Sequence, residues 1–224
     1  MMKISQLLKI QKGITALIGG GGKTTLMYRL AQELSEVGTV IVCTSTKIIE
    51  PEGFEVITEE SEEMITDKLK SQRIVCVGTR VAGGKLSASV IGFDRLKELA
   101  DYVIVEADGA HRLPVKAHAE YEPVIPKEAN RTILVMGADA FGQSIGQSCH
   151  RAELFAAIAD VGIQSIVTPE IVSRVIKGEG YGDRLFINKV EDETAMANAR
   201  ALAALSELPT VAGSLQKEEA ICLR

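Results

Sequence analysis

The residues best suited to chemistry stand at Gly19-Gly20-Gly21-Gly22-Lys23-Thr24-Thr25. Four successive glycines let a backbone take left-handed dihedrals and approach a polyphosphate with no Cβ in the way. Their N–H groups, with the positive end of a following helix, would then point at the anion. Lys23 would reach the β- and γ-phosphate oxygens and the Thr24 hydroxyl would complete a Mg²⁺ shell, as in a P-loop. The strict G-x-x-x-x-G-K-[ST] spacing asks for glycine at position 17, where this chain has Leu17, so the loop is shortened or its first turn starts at Gly19. The competing reading is a glycine-rich turn beside a chance lysine. Glycine costs roughly 1 kcal/mol per residue in ordered elements, however, and four in a row call for a reason.

An acid is needed at the end of a neighbouring buried strand to hold the metal's water shell. Asp101-Tyr-Val-Ile-Val-Glu106-Ala107-Asp108-Gly109 supplies one, with a glycine placed to approach a γ-phosphate. Lys23, Glu106 and Asp108 are the catalytic candidates, and Thr24 with Glu106 the Mg²⁺ candidates; taken alone, the acidic run also reads as a strand ending in solvated carboxylates. A third element, Arg184 to Asp192, is an apolar strand ending in Asn188-Lys189-Val190-Glu191. Guanine offers N1–H and N2–H₂ donors that a carboxylate accepts in a forked pair, so such a site prefers GTP to ATP. Glu191 stands where GTPases usually carry Asp, and Asp192 is next to it, so either acid could face the base. Asn188 and Glu191 also fit a helix start, as N-cap and third-position acid. Gly213-Ser214 is placed to close over a base.

Each histidine lies within two residues of a cation: His111-Arg112, Lys116-Ala117-His118 and His150-Arg151. Such pairs suit a phosphorylated or otherwise anionic second ligand, although solvated loop chemistry explains any one of them equally well. Thr44-Ser45-Thr46-Lys47 follows a buried run and reads either as a segment sensing the γ-phosphate, through Thr46 and Lys47, or as an N-cap turn. Cys149, beside His150 and Arg151, has the electropositive surroundings that lower a thiol pKa. No spacing unites two histidines with a thiol or carboxylate, which argues against zinc.

The elements that would position these groups alternate. Short β-rich apolar runs fall at Ile14 to Ile18, Thr39 to Cys43, Arg73 to Val77, Tyr102 to Val105, Thr132 to Met136, Leu185 to Ile187 and Thr210 to Ala212. Helix-period segments separate most of them: Thr24 to Val37 before Gly38, Ser61 to Lys70, Phe93 to Ala100, Arg151 to Asp160, Pro169 to Lys177 and Glu191 to Glu207. Crossover helices imply an α/β, P-loop NTPase-like fold: a mostly parallel sheet, helices on both faces, and ligands at the carboxyl ends of the strands. Gly78 to Gly92 breaks the rhythm as a hairpin or a loop around Gly83-Gly84. No domain boundary is evident, so residues 1–224 read as a single nucleotide-binding domain.

Composition agrees. The 224 residues are 46% hydrophobic and 25% charged, enough for a core and unlike a disordered chain. Lys+Arg 25 against Asp+Glu 30 gives a formal net charge of -5, and aromatics make up 4% with no Trp, which argues against nucleic acid and membrane surfaces as partners. The four cysteines are scattered, and no apolar run approaches the ~20 residues of a membrane span, so a cytoplasmic protein with reduced thiols is expected.

Assembled, these residues resemble the selenium-dependent molybdenum hydroxylase accessory family, YqeC. The carriers are Gly19 to Thr25, Thr44-Ser45-Thr46-Lys47-Ile48, Glu106-Ala107-Asp108-Gly109-Ala110, Leu113-Pro114-Val115-Lys116-Ala117, Glu122-Pro123-Val124-Ile125-Pro126, His150-Arg151 and Asn188-Lys189. The resemblance implies a place in the maturation of molybdenum hydroxylases that carry a labile selenium. On this reading a Mg²⁺-dependent NTPase uses GTP or ATP and works with a molybdenum hydroxylase or its cofactor precursor. Gly19, Gly20, Gly21, Gly22, Lys23, Thr24, Thr25, Asn188, Lys189 and Glu191 would hold the nucleotide. Thr46, Lys47, His111, Arg112, Lys116, His150 and Arg151 would face the second substrate. The alternatives are a small-molecule kinase or ligase that transfers the γ-phosphate, and a non-catalytic nucleotide-sensing chaperone.

Overall fold

Parity along the Gly13–Gly19 strand sets the layers of the molecule. In the computed structural model, which describes residues 2–50, 53–58 and 61–224, Ala16 and Ile18 pack with Phe155, Val172 and Leu202. Leu17 packs the opposite way, with Leu26, Leu30, Val42 and Ile104. Ile14, in step with Ala16, meets Ile65, Leu69 and Leu96. Helices therefore cover both faces, as the alternation of elements predicts.

The main sheet among the described residues has nine strands, in the order Glu219–Cys222, Thr210–Ser214, Arg184–Asn188, Ala129–Gly137, Gly13–Gly19, Tyr102–Glu106, Val40–Thr44, Ile74–Val77 and Val56–Ile57. All neighbours are parallel except Glu219–Cys222, which adds antiparallel at the edge. The parallel strands carry their carboxyl ends to one side, so Gly19, Thr44, Glu106, Gly137, Asn188 and Ser214 share one rim.

The helix Lys23–Ser35 starts directly after the fourth glycine and buries Leu26, Met27, Leu30, Ala31 and Leu34. At about 1.5–3 kcal/mol for each large apolar side chain, that stripe fixes the helix on the sheet and so fixes its first turn at the rim. Gly38 follows, its amide on the Leu34 carbonyl at 3.0 Å. Gly78 to Gly92 contains a hairpin: Thr79–Val81 pairs antiparallel with Lys85–Ser87 around Gly83 and Gly84, both at positive φ, and Lys47–Ile49 adds to it. The Thr44 to Lys47 segment therefore runs into a strand, and the N-cap alternative for it is corrected. One short parallel pair, Val115–Lys116 with Cys149–His150, joins two loops at the rim. Among the described residues no helix is long and apolar enough to cross a membrane.

Candidate functional site

The glycine loop is built for close approach to its own protein. A Cβ on Gly21 would lie 2.0 Å from the Gly137 amide nitrogen, and Gly21 and Gly22 take φ of +68° and +121°. Leu17 lies buried inside the strand, and the turn starts at Gly19, φ +96°. The expectation that all four glycine amides face an anion is corrected. Gly19 N–H donates to Asp108 Oδ2 at 2.8 Å, Gly20 N–H to the Val135 carbonyl at 2.9 Å and Gly21 N–H to the Leu113 carbonyl at 3.1 Å. Within the helix the first amide engaged is that of Leu26, on the Gly22 carbonyl at 2.9 Å, and no side chain caps this N-terminus. The amides left for a ligand are those of Gly22, Lys23, Thr24 and Thr25.

Around that turn the acids converge. Thr24 Oγ1 donates to Glu106 Oε2 at 2.8 Å. Lys23, 4% exposed, donates to the Gly19 carbonyl at 2.7 Å and lies 3.0 Å from Asp108 Oδ1 and 3.8 Å from Glu106 Oε1. Burial pushes the Glu106 carboxyl up, against the pull of Lys23 and Thr24. For Asp108 burial acts the same way but is outweighed by the His118 hydrogen bond and the charges of Lys23 and Lys116, which hold its carboxyl down at about 2. Its Oδ1 has no directed hydrogen bond, only the nearby charge of Lys23.

Behind Asp108 lies a histidine that the sequence motifs did not single out for this role. His118 Nε2 is 2.7 Å from Asp108 Oδ2, and its Nδ1 is 2.8 Å from Glu179 Oε2. Two carboxylates require two N–H donors, so the ring is an imidazolium; burial opposes its charge, and Asp108 and Glu179 raise its pKa nonetheless. His118 is therefore buried between acids of the protein rather than paired with Lys116 to meet a ligand. Lys116, expected at the substrate face, is likewise turned inward with its side chain 0% exposed. It donates to the Gly109 carbonyl and Glu122 Oε2, both at 2.7 Å.

At the other end of the loop, Asn188 Nδ2 donates to the Gly21 carbonyl at 2.8 Å and its Oδ1 accepts from Leu215 N–H at 3.1 Å. The two acids beside it part company. Asp192 is the N-cap of Glu193–Leu205, accepting from Ala195 N–H at 2.8 Å, which corrects the reading of Asn188 as that cap. Glu191 Oε1 accepts from Ser214 Oγ at 2.9 Å. Both acids, with Asn188, Lys189, Ser214 and Thr25, line a cleft of about 630 Å³ that begins at the phosphate loop. Lys189 pairs with Asp139 across it at 2.6 Å.

The second-substrate candidates divide. Thr46 bonds Thr44, and the Lys47 side chain makes no hydrogen bond or ion pair among the described residues, so neither meets the carboxylates of Glu106 or Asp108. His111, Arg112, His150 and Arg151 gather beside the Val115–Lys116 and Cys149–His150 pair. Cys149 is no activated thiol: burial pushes it up to about 11. No disulfide joins the cysteines, and Cys43, Cys76 and Cys149 are buried. Tyr121, which holds Arg151 together with Glu122, and Glu179 were not among the residues singled out, and Glu122 stood only among the carriers of the family resemblance. Glu179 carries no local signal, being an ordinary acid at the end of a helix 61 residues from His118.

A parallel sheet with a glycine loop between its central strand and a helix, and an acid on the next strand bonded to the hydroxyl after the lysine, defines a P-loop NTPase-like α/β protein. The chain belongs to the YqeC family: it matches the YqeC protein family over residues 15–153. It is 28% identical over 232 residues to the "Uncharacterized protein YqeC" of Escherichia coli (strain K12), covering 94% of this chain and 91% of that one. Among solved structures it is similar to the Signal Recognition Particle 54 kDa protein from Aeropyrum pernix K1 in complex with GDP. That likeness has 15% identity and a TM-score of 0.46, and covers 97% of this chain; the chain spans 48% of the length of that structure.

Proposed function

We propose that this protein binds a nucleoside triphosphate with Mg²⁺, GTP in preference to ATP, and hydrolyses it within one domain. The observation that carries the reading is the 2.8 Å contact of Thr24 Oγ1 with Glu106 Oε2, beside an uncapped helix N-terminus and a buried lysine. An all-oxygen pair of this kind suits Mg²⁺, which keeps most of its waters and takes few protein ligands. Thr24 and Glu106 would hold the ion, which when bound neutralises charge on the phosphates.

The phosphates take the amides of Gly22, Lys23, Thr24 and Thr25, and Lys23 turns from Asp108 to the γ-phosphate. Asp108 Oδ1, released from Lys23, would then be an acceptor for the attacking water, while Lys116 and His118 keep the carboxylate ionised and in place. Guanine occupies the cleft, with Glu191 accepting from N1–H and N2–H₂ and Ser214 orienting that carboxylate.

Membership of the family supports a place for this cycle in the maturation of a selenium-dependent molybdenum hydroxylase or its cofactor. Calorimetric titration of the chain with Mg-GTP and Mg-ATP, paired with assay of released phosphate, tests the reading. Binding of neither nucleotide overturns it, and binding without turnover, even with a hydroxylase present, makes the protein a nucleotide sensor. Transfer of the γ-phosphate to an acceptor is the second reading, supported by the cations on the loop that packs against Gly20 and Gly21.

A further inference from the structure

Two segments far apart in sequence bring imidazoles face to face. The rings of His111 and His150 stack with centroids 4.6 Å apart and planes at 14°. Neither ring hydrogen-bonds to another described residue, so their nitrogens are open to a ligand. The parallel pairing of Val115 with Cys149 and Lys116 with His150 holds the segments together.

The backbone is strained at this place. His111, Arg112 and Arg151 take φ of +49°, +63° and +61°, the left-handed region that residues with a Cβ rarely occupy. Such strain persists where surrounding structure enforces it, and it is concentrated at ligand sites.

The charge is unbalanced as well. Arg112 is exposed and has no partner among the described residues. Arg151 is aimed by Glu122 at 2.6 Å and by the Tyr121 hydroxyl at 3.0 Å, and Lys116 shares the same Glu122 oxygen from behind at 2.7 Å. Lys116 and Arg151 thus share Glu122, Lys116 being paired with Asp108 as well at 3.2 Å, and Arg112 is left as an unmatched cation in a chain whose net charge is -5. The excess is felt by His150, whose imidazole is lowered by burial and then by Arg151, Lys116 and His111.

The position gives the excess a purpose. Gly21 N–H donates to the Leu113 carbonyl at 3.1 Å, and Gly137 N–H to the Pro114 carbonyl at 2.9 Å, so the loop bearing His111 and Arg112 is seated on the phosphate loop. We propose that His111, Arg112, His150 and Arg151 form a second ligand site, which takes a small molecule through a phosphate-like oxyanion and holds it beside the nucleotide. The guanidinium forks and imidazole N–H groups suit tetrahedral oxygen geometry, and Lys116 and Glu122 fix Arg151 without touching the ligand. As the site of the second substrate it rests on the nucleotide reading; as an anion site it stands alone.

The test follows the three histidine rings by NMR in the full chain without nucleotide, with inorganic phosphate as the probe and chloride at matched ionic strength as the control. Phosphate is expected to shift the His111 and His150 ring signals saturably while His118, enclosed by Asp108 and Glu179, stays put. Arg112→Ala, which breaks no contact in the protein, is expected to weaken the response about tenfold, as loss of a charge-assisted contact does. Lys23→Ala is expected to keep it while losing nucleotide. A response reproduced by chloride, indifferent to Arg112→Ala, or abolished by Lys23→Ala overturns the second site. Failure of the wild-type chain to bind nucleotide, with its phosphate response intact, overturns only the nucleotide reading.

Discussion

His118 stands 2.7 Å from Asp108, and that contact ties the phosphate end of the site to the far side of the sheet. Its other ring nitrogen reaches Glu179, so a single imidazolium bridges two buried acids that face it, with Tyr181 edge-on at 5.4 Å and Lys116 3.2 Å from the same Asp108 oxygen. Replacing it takes the ring donor from Glu179 and one of several partners from Asp108, which keeps Lys23, Lys116 and the Gly19 amide. His118→Gln is expected to lower stability by about 3 kcal/mol in urea denaturation at pH 6, the magnitude for breaking a buried pair.

The pH dependence of that loss has a definite sign. The folded-state pKa of His118 lies above its ordinary 6.5, because its acidic partners outweigh the effect of burial. Its contribution is therefore full below pH 6.5 and disappears as pH rises through the folded value. Asp108, held at about 2, contributes above its ordinary 3.8 and loses that contribution as pH falls toward 2. The stability gap between wild type and His118→Gln should narrow from pH 7 upward. A gap that widens over the same range contradicts an imidazolium at this position.

Thr24→Ala and Glu106→Gln remove either half of the proposed ion site, and Glu106→Gln leaves Lys23 its nearer carboxylate, Asp108 at 3.0 Å. Each is expected to abolish most of the gain in nucleotide affinity that Mg²⁺ confers, while Mg²⁺-free binding falls little. Lys23→Ala should instead lower affinity with or without the ion, by roughly tenfold to a hundredfold for a lost charge-assisted contact. Calorimetry in Mg²⁺ and in EDTA separates the two patterns, and equal losses in both buffers for Thr24→Ala would remove it from the ion site.

Much of this architecture is legible in the sequence because its signals are local. Leu26, Leu30 and Leu34 mark one helix face, and Glu106 ends an unbroken buried strand. The relay behind the site is less legible. His118 and Glu179 are 61 residues apart, and Asn188 meets the Gly21 carbonyl across 167. The Val115–Lys116 and Cys149–His150 strands have two residues each, too few to show a period of two. The glycine run announces a tight loop, but the acceptors on Val135, Leu113 and Asp108 that take its amides come from elements whose approach depends on the finished sheet.

That tight packing predicts a graded response to added methyl groups. Gly21→Ala puts a Cβ 2.0 Å from the Gly137 nitrogen and 2.4 Å from the Met136 carbonyl carbon at φ +68°, against sheet backbone that cannot turn aside. It is expected to unfold the chain or cost more than about 3 kcal/mol, beyond the usual range of overpacking. Gly83→Ala, in the exposed hairpin turn with φ +83° and nothing within 4 Å, carries backbone strain alone and should cost only about 1 kcal/mol. Thermal melts of the two variants check the ordering, and a mild Gly21→Ala would mean that the loop has room the structure denies it.

The two acids after Val190 make separable predictions because the protein already uses them differently. Asp192 accepts from the Ala195 amide as a helix cap, and Glu191 accepts from Ser214 at the mouth of the cleft. Asp192→Ala is expected to cost about 1 kcal/mol of stability, the usual price of a lost cap, and to leave the ratio of GTP to ATP affinity where it was. Glu191→Ala is expected to leave the melt nearly unchanged and to shrink that ratio by roughly tenfold, since a forked pair to a base contributes about 1–3 kcal/mol of discrimination. Ser214→Ala should move the ratio in the same direction by less, because it loosens the carboxylate without removing it. If Asp192→Ala shifts the ratio while Glu191→Ala does not, the cap is the acid that reads the base, and the helix Glu193–Leu205 must rearrange when nucleotide enters.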